Sequence, residues 1–261
     1  MRARQYFHDD RTLKETRMTE ISAAARSDLA PNGKLRVGIN FGNELLTRRD
    51  PVTRAPGGIA PDLAWELGRR LGVPVEIVSY ESAGELADSA TQGQWEVGFL
   101  GVEPQRANVI SFTAPYLEIE ATYMVHPDSP LRAVADVDSK GVRIVLAEKS
   151  AYDLYLSRTI RNATLIRVKG GNAAFDKFVA DRIEAFACLK PVLLRQHQDY
   201  PQARILDGRF TAVLQGAGTP KGHDAGAKFL SEYIEDVKAT GMVARAIESN
   251  GIKGVTVAPG A

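Results

Sequence analysis

One order of elements occurs twice along this chain, and it limits the possible folds more than any other feature does. Leu35-Arg36-Val37-Gly38-Ile39 alternates in hydropathy and reads as a strand. Ile59, Leu63, Leu67 and Leu71 then recur every four residues, as on one face of a helix. Pro61 suits the first turn of that helix, and Gly72 ends it. Val73 to Val78 is a second strand, residues 82–91 a second helix, and Trp95 to Leu100 a third strand. The series restarts after Pro130. Strand 142–146, helix 150–160, strand 164–168, helix 172–180 and strand 183–188 follow in turn, with a helix from Lys190 to Gln198 completing it. A βαβαβ order favours a mostly parallel sheet with helices on its faces. Repeated, it predicts an α/β protein of two similar lobes.

The rest of the chain fits this frame. Residues 47–58 carry turn signals, Asp50-Pro51 and Gly57-Gly58. Ala212-Val213-Leu214 runs into Gly216-Ala217-Gly218, which reads as a strand crossing rather than a phosphate loop. Phe229, Leu230, Tyr233, Ile234 and Val237 mark one face of a closing helix, and a shorter helix covers about 241–249.

Composition narrows the function. The chain has 261 residues, 44% of them hydrophobic, enough for two lobes of about 120 residues each. Lys and Arg number 33 against 32 Asp and Glu, a balance that gives no nucleic-acid footprint. Cys188 is the single cysteine, so neither an intramolecular disulfide nor a CxxC zinc site is possible. It reads as a small buried apolar residue. His8, His126, His197 and His223 are far apart and fit no metal spacing. There is no P-loop or nucleophile elbow, and Gly38-Ile39-Asn40-Phe41-Gly42 has the wrong spacing for a dinucleotide fingerprint. No metal and no cofactor are expected.

Residues 1–32 read as a polar lead-in. Charges interrupt the first 30 residues throughout, and Ala23-Ala24-Ala25 is their longest apolar run. This is neither a secretory signal nor a membrane span. It predicts no membrane insertion, and a cytoplasmic address unless the start is misassigned.

In order, the segments resemble the family-3 extracellular solute-binding proteins, the polar-amino-acid class with the type II periplasmic-binding-protein fold. The resemblance runs through Leu35–Gly38, Gly58–Asp62, Leu71–Glu76 and Gly93-Gln94-Trp95-Glu96. Its most specific part is Pro104-Gln105-Arg106-Ala107 followed by Ile110-Ser111-Phe112-Thr113-Ala114-Pro115-Tyr116. It continues through Asp136-Val137 to Gly141-Val142, Ser150 and Asp181-Arg182-Ile183-Glu184-Ala185, covering roughly residues 33–250. It implies lobe 1 at 33–119 plus 213–261, lobe 2 at 120–212, two crossover hinge strands, and a ligand held between the lobes. The implied partners are a small-molecule ligand and an ABC permease, with the protein itself a monomer. The implied role is binding rather than catalysis.

The resemblance also proposes a site. Arg106 matches the arginine whose fork holds a ligand carboxylate. Ser150 lies before a helix start, where Ala151 offers a free backbone N–H to an anion. Phe41 and Asn43 follow the first strand, where relatives place an aromatic wall and polar contacts. Gly101 offers a backbone N–H in a segment that lacks the hydroxyls of relatives. The implied ligand is an amino acid or a related organic acid; Leu189 stands where α-amino-acid binders carry an aspartate for the ammonium, which leaves a carboxylate without an amine, or another small polar molecule, as the alternative. Two other functions remain open. One is an enzyme resembling cyclohexadienyl dehydratase, for which Glu103, Glu148 and Glu44 are the available carboxylates. The other is a ligand sensor.

Overall fold

The computed structural model describes residues 21–261, so residues 1–20 of the expected lead-in, and with them most of the stretch read for a signal, lie outside the described residues. The remainder of that lead-in is docked on the fold. Helix α1, Ala23–Leu29, is capped by Ser22, whose hydroxyl accepts the N–H of Ala25 at 3.1 Å. The chain continues through β1 (Leu35–Asn40) and a small hairpin of β2 (Arg48–Arg49) and β3 (Pro56–Gly57). Helix α2 (Ile59–Leu71), β4 (Val75–Tyr80), α3 (Ala83–Asp88) and β5 (Val97–Gly101) follow, then β6 (Ile110–Phe112) and β7 (Leu117–Val125). The second series is β8 (Arg143–Ala147), α4 (Ala151–Thr159), β9 (Thr164–Val168), α5 (Gly171–Ala180), β10 (Ala185–Leu189) and α6 (Lys190–Gln196). The chain closes with β11 (Arg204–Ile205), β12 (Thr211–Pro220), α7 (Asp224–Ala239), α8 (Met242–Ser249) and β13 (Val255–Val257).

The periodicities fold as their spacing demands. Ile59, Leu63, Leu67 and Leu71 are all fully buried on α2, and Gly72 ends that helix in the left-handed region at φ 66°. Helix α3 stops at Asp88, earlier than the pattern suggests. Just past its end the Ser89 hydroxyl donates to the Leu86 carbonyl and accepts Trp95 Nε1, anchoring the chain there.

The strands join in the order β4-β1-β5-β12-β7-β10-β8-β9. Strands β4, β1 and β5 run parallel in one wing, and β10, β8 and β9 run parallel in the other. Between them β7 and β12 pair antiparallel to each other from Thr211↔Ala121 to Gln215↔Leu117. This is a two-lobed type II periplasmic-binding-protein-like fold, and β7 and β12 are the crossover strands between its wings. One hydrophobic cluster runs through both wings, with Leu117, Ile119 and Ala121 carrying it along β7. Among the described residues no helix is long and apolar enough to cross a membrane.

Candidate functional site

A cavity of about 420 Å³ lies between the wings, and Phe41, Asn43, Gly101, Arg106, Ser150, Ala151 and Leu189 all line it. The β1–α2 loop holds the first two. Thr47 pins that loop by donating to the carbonyls of Asn40 and Asn43, at 3.0 Å in both cases. The Asn43 side chain accepts Leu45 N–H at 3.3 Å, so part of its polarity serves the loop. The Phe41 ring carries the Arg49 guanidinium on one face, 3.8 Å from its centroid.

Arg106 starts a short 3₁₀ turn after β5 and is only 4% exposed. Nη1 donates to the Gly101 carbonyl at 2.8 Å, and Nη2 donates to the Lys149 carbonyl at 2.9 Å. These acceptors lie on opposite sides of the cleft. Three of the five guanidinium N–H groups are left over. No carboxylate forms an ion pair with Arg106 among the described residues. Burial pulls its pKa down to about 10, with Glu103 and then Asp88 acting in the opposite sense through their charge. The group is still cationic at neutral pH. A buried cation without a counter-charge is costly, and an anion in the cavity would relieve it.

The start of α4 faces the same space. Ser150 caps it by accepting the N–H of Asp153 at 3.1 Å. The next two residues, Ala151 and Tyr152, both line the cavity. Asp153 in the first turn would repel an anion there, but it is engaged by Arg167 Nε at 2.9 Å and by the Lys149 N–H at 2.7 Å. The positive end of the helix therefore remains available.

Gly101 is one of the points where the two sides come close, as Gly84 is against Lys149. A Cβ at Gly101 would lie 2.8 Å from the Ala151 methyl across the cleft and 3.3 Å from Arg106 Nη1. Only glycine fits this approach.

Four ion pairs also cross the cleft, and all have the same polarity. Lys149–Asp88 at 2.6 Å, Arg158–Glu103 at 2.7 Å, Lys169–Glu85 at 3.2 Å and Arg195–Glu44 at 2.7 Å each place the cation after β8 and the anion before β6. Glu103 is thus neither a solvated carboxylate nor a free cation ligand; it is 7% exposed and held by Arg158. Lys149 adopts φ 54°, a left-handed conformation unusual for a side chain of its size.

Leu189 ends β10 and is 7% exposed. With Cys188, Val192, Phe99 and Val213 it makes an apolar wall. Cys188 is buried beside the Tyr152 hydroxyl at 3.7 Å, and burial raises its thiol to about 11, so it is an inert thiol at neutral pH.

The sequence reading overlooked Gln215, a residue of β12 that is 5% exposed and lines the cavity. Its signal was a polar residue two places from Val213, on the same face of a strand. The neighbouring glycines masked that alternation.

A match to the bacterial extracellular solute-binding proteins, family 3, runs over residues 35–250. The chain belongs to that family. Among curated proteins, no sequence matches. Many solved structures do. The solute receptor for L-cysteine of Neisseria gonorrhoeae is 18% identical, with a TM-score of 0.75 over 89% of this chain and 96% of that one. An amino acid ABC transporter substrate-binding protein of Streptococcus pneumoniae bound to L-arginine is 18% identical, with a TM-score of 0.72 over 90% and 99%. An ancestral amino acid-binding protein, a precursor of cyclohexadienyl dehydratase, is 20% identical, with a TM-score of 0.72 over 86% and 98%. At these identities the likeness is one of fold.

Proposed function

We propose that this family-3 protein is the monomeric substrate-binding component of an ABC transporter. It closes on a small carboxylate-bearing ligand, an amino acid or a related organic acid. The lobes are 33–119 with 213–261, and 120–212, hinged on β7 and β12. The observation that carries this reading is the placement of Arg106, a buried cation without an ion pair, facing the start of α4 across one cavity. Three unused N–H groups on the guanidinium, the N–H groups of Ala151 and Tyr152 and the Ser150 hydroxyl would surround a carboxylate with donors. Phe41, Asn43, Gly101 and Leu189 would enclose the remainder of the ligand. The structural relatives named for L-cysteine, L-arginine and amino acid transport support the same class of small, carboxylate-bearing cargo.

Two of the three candidate carboxylates support binding over catalysis; the third, Glu148, is exposed on the cavity wall with no ion pair among the described residues. Glu44 and Glu103 are both held in ion pairs across the cleft. Neither is a free acid or base beside Arg106.

Calorimetric titration of the wild-type chain and Arg106→Leu with amino acids and organic acids tests this. A carboxylate should bind the wild type, and the substitution should weaken it by about 10- to 100-fold, as expected for a charge-assisted contact of about 1.5–3 kcal/mol. Equal affinity in the two proteins would contradict the assignment.

A further inference from the structure

The carboxylates on the cavity wall are Glu44, Glu81 and Glu148. The side chains of Glu44 and Glu81 are 52% and 75% exposed and pair with Arg195 and Arg49, and Glu148 is also exposed. None is buried alongside Arg106. A ligand ammonium drawn in beside that guanidinium would meet a like charge, while the buried carboxylate near it, Glu103, is already paired with Arg158; this is a costly arrangement.

Gln215 offers something different. Its side chain is buried, lines the cavity, and makes no hydrogen bond among the described residues. Its amide atoms are not among the buried polar atoms left without a partner; they stay accessible from the cavity, where an occupant with the right group would meet them. Val213 and Gln215 are two residues apart on β12 and both reach the cavity. Gln215 sits in register with Gly101, whose carbonyl accepts Arg106 Nη1. The free amide and the anchored guanidinium therefore share one end of the cleft. Of the other cavity amides, Asn40 and Asn43 have their oxygens engaged by the N–H groups of Gly42 and Leu45, and Asn172, on the far wing, is exposed rather than buried. A neutral amide donates through its nitrogen and accepts through its oxygen. It complements a hydroxyl or a carbonyl oxygen, and it cannot compensate an ammonium.

We infer that Gln215 is a specificity-determining residue, and that the ligand is an oxygenated carboxylate, a hydroxy or oxo acid, whose neutral oxygen meets the Gln215 amide. This rests on the carboxylate reading of the same cavity.

The test uses matched sets of acids that share a skeleton, titrated calorimetrically into the full chain. The sets are phenylalanine, phenyllactate, phenylpyruvate and hydrocinnamate; valine, α-hydroxyisovalerate, α-ketoisovalerate and isovalerate; and aspartate, malate, oxaloacetate and succinate. In at least one set the hydroxy or oxo acid should bind wild type about 10-fold more tightly than both the amino acid and the unsubstituted acid, a difference of one neutral hydrogen bond. Gln215→Leu should bring that acid down to the level of the unsubstituted one. Gln215→Glu, nearly isosteric, should shift preference within the set toward the amino acid, and it serves as the second variant if Gln215→Leu does not fold. An amino acid that binds wild type as tightly as its hydroxy and oxo counterparts overturns the inference while leaving the carboxylate reading intact. So does a Gln215→Leu variant that weakens every member of the set equally. If no acid of any set binds wild type, the carboxylate reading falls, and this inference with it.

Discussion

Arg106 Nη2 donates to the carbonyl oxygen of Lys149 at 2.9 Å, a single hydrogen bond from the turn after β5 to the loop before α4 on the opposite wing. The residue proposed to hold the ligand also holds the cleft shut. Ligand binding and closure are thereby coupled through one guanidinium, and any ligand that prefers the closed form will favour it in proportion to that preference. Arg106→Lys keeps the charge but loses the fork. It should weaken carboxylate binding about 10-fold and raise the population of open molecules. Titration calorimetry and small-angle scattering read these two effects separately.

Gly101 tests the geometry of closure. An alanine there would press its methyl against Ala151, at 2.8 Å from a side chain fixed on the first turn of α4. Over-packing of this kind costs about 1–3 kcal/mol, and its larger part, the clash with Ala151, is present only when the wings are closed; the 3.3 Å approach to Arg106 Nη1 lies within one wing. Gly101→Ala should therefore leave the unfolding midpoint of the unliganded chain near wild type while lowering ligand affinity about 5- to 100-fold. Paired denaturation and binding measurements distinguish this from a general loss of stability.

The charge pattern across the cleft predicts a salt effect. Four pairs of one polarity, most of them on half-exposed side chains, should contribute about 0.2–1 kcal/mol each, and high salt will screen them. The radius of gyration should rise with ionic strength. Glu44→Arg should open the cleft in the same way, and adding Arg195→Glu should restore closure, because the swap recreates the pair with its sign reversed. Scattering across a salt series on the three proteins checks both statements.

The amino-terminal helix is the fourth test. Leu29 is fully buried, and Asp28 accepts the N–H of Gly226 at 2.9 Å at the start of α7. Leu29→Ala should destabilise the chain by about 2–4 kcal/mol. A segment that merely precedes the fold would show no change in urea denaturation.

Much of this was legible in the sequence, for identifiable reasons. The α2 leucines and the alternating strands carry their periodicity on the surface of the sequence. Arg106 and Ser150 stand in motifs whose order is specific. What stayed hidden depended on distance along the chain. Arg158 and Glu103 are far apart in sequence, and only the approach of the two wings makes them partners. The crossing pattern of β7 and β12 was also hard to read, because β7 is buried on both faces over its last five residues and loses its alternation. Gln215 was lost among Gly216 and Gly218, whose lack of side chains drew the reading toward a bare strand crossing. The lead-in looked polar because α1 buries only Ala25 and Leu29 on a single narrow stripe.

The most direct test of the central claim is a crystal structure of the chain with a carboxylate ligand identified by titration. The ligand carboxylate should lie within hydrogen-bonding distance of the Arg106 guanidinium and of the Ala151 and Tyr152 N–H groups, with the wings closed as described. A ligand bound elsewhere, or one in this cavity with its carboxylate turned away from Arg106, would contradict the account.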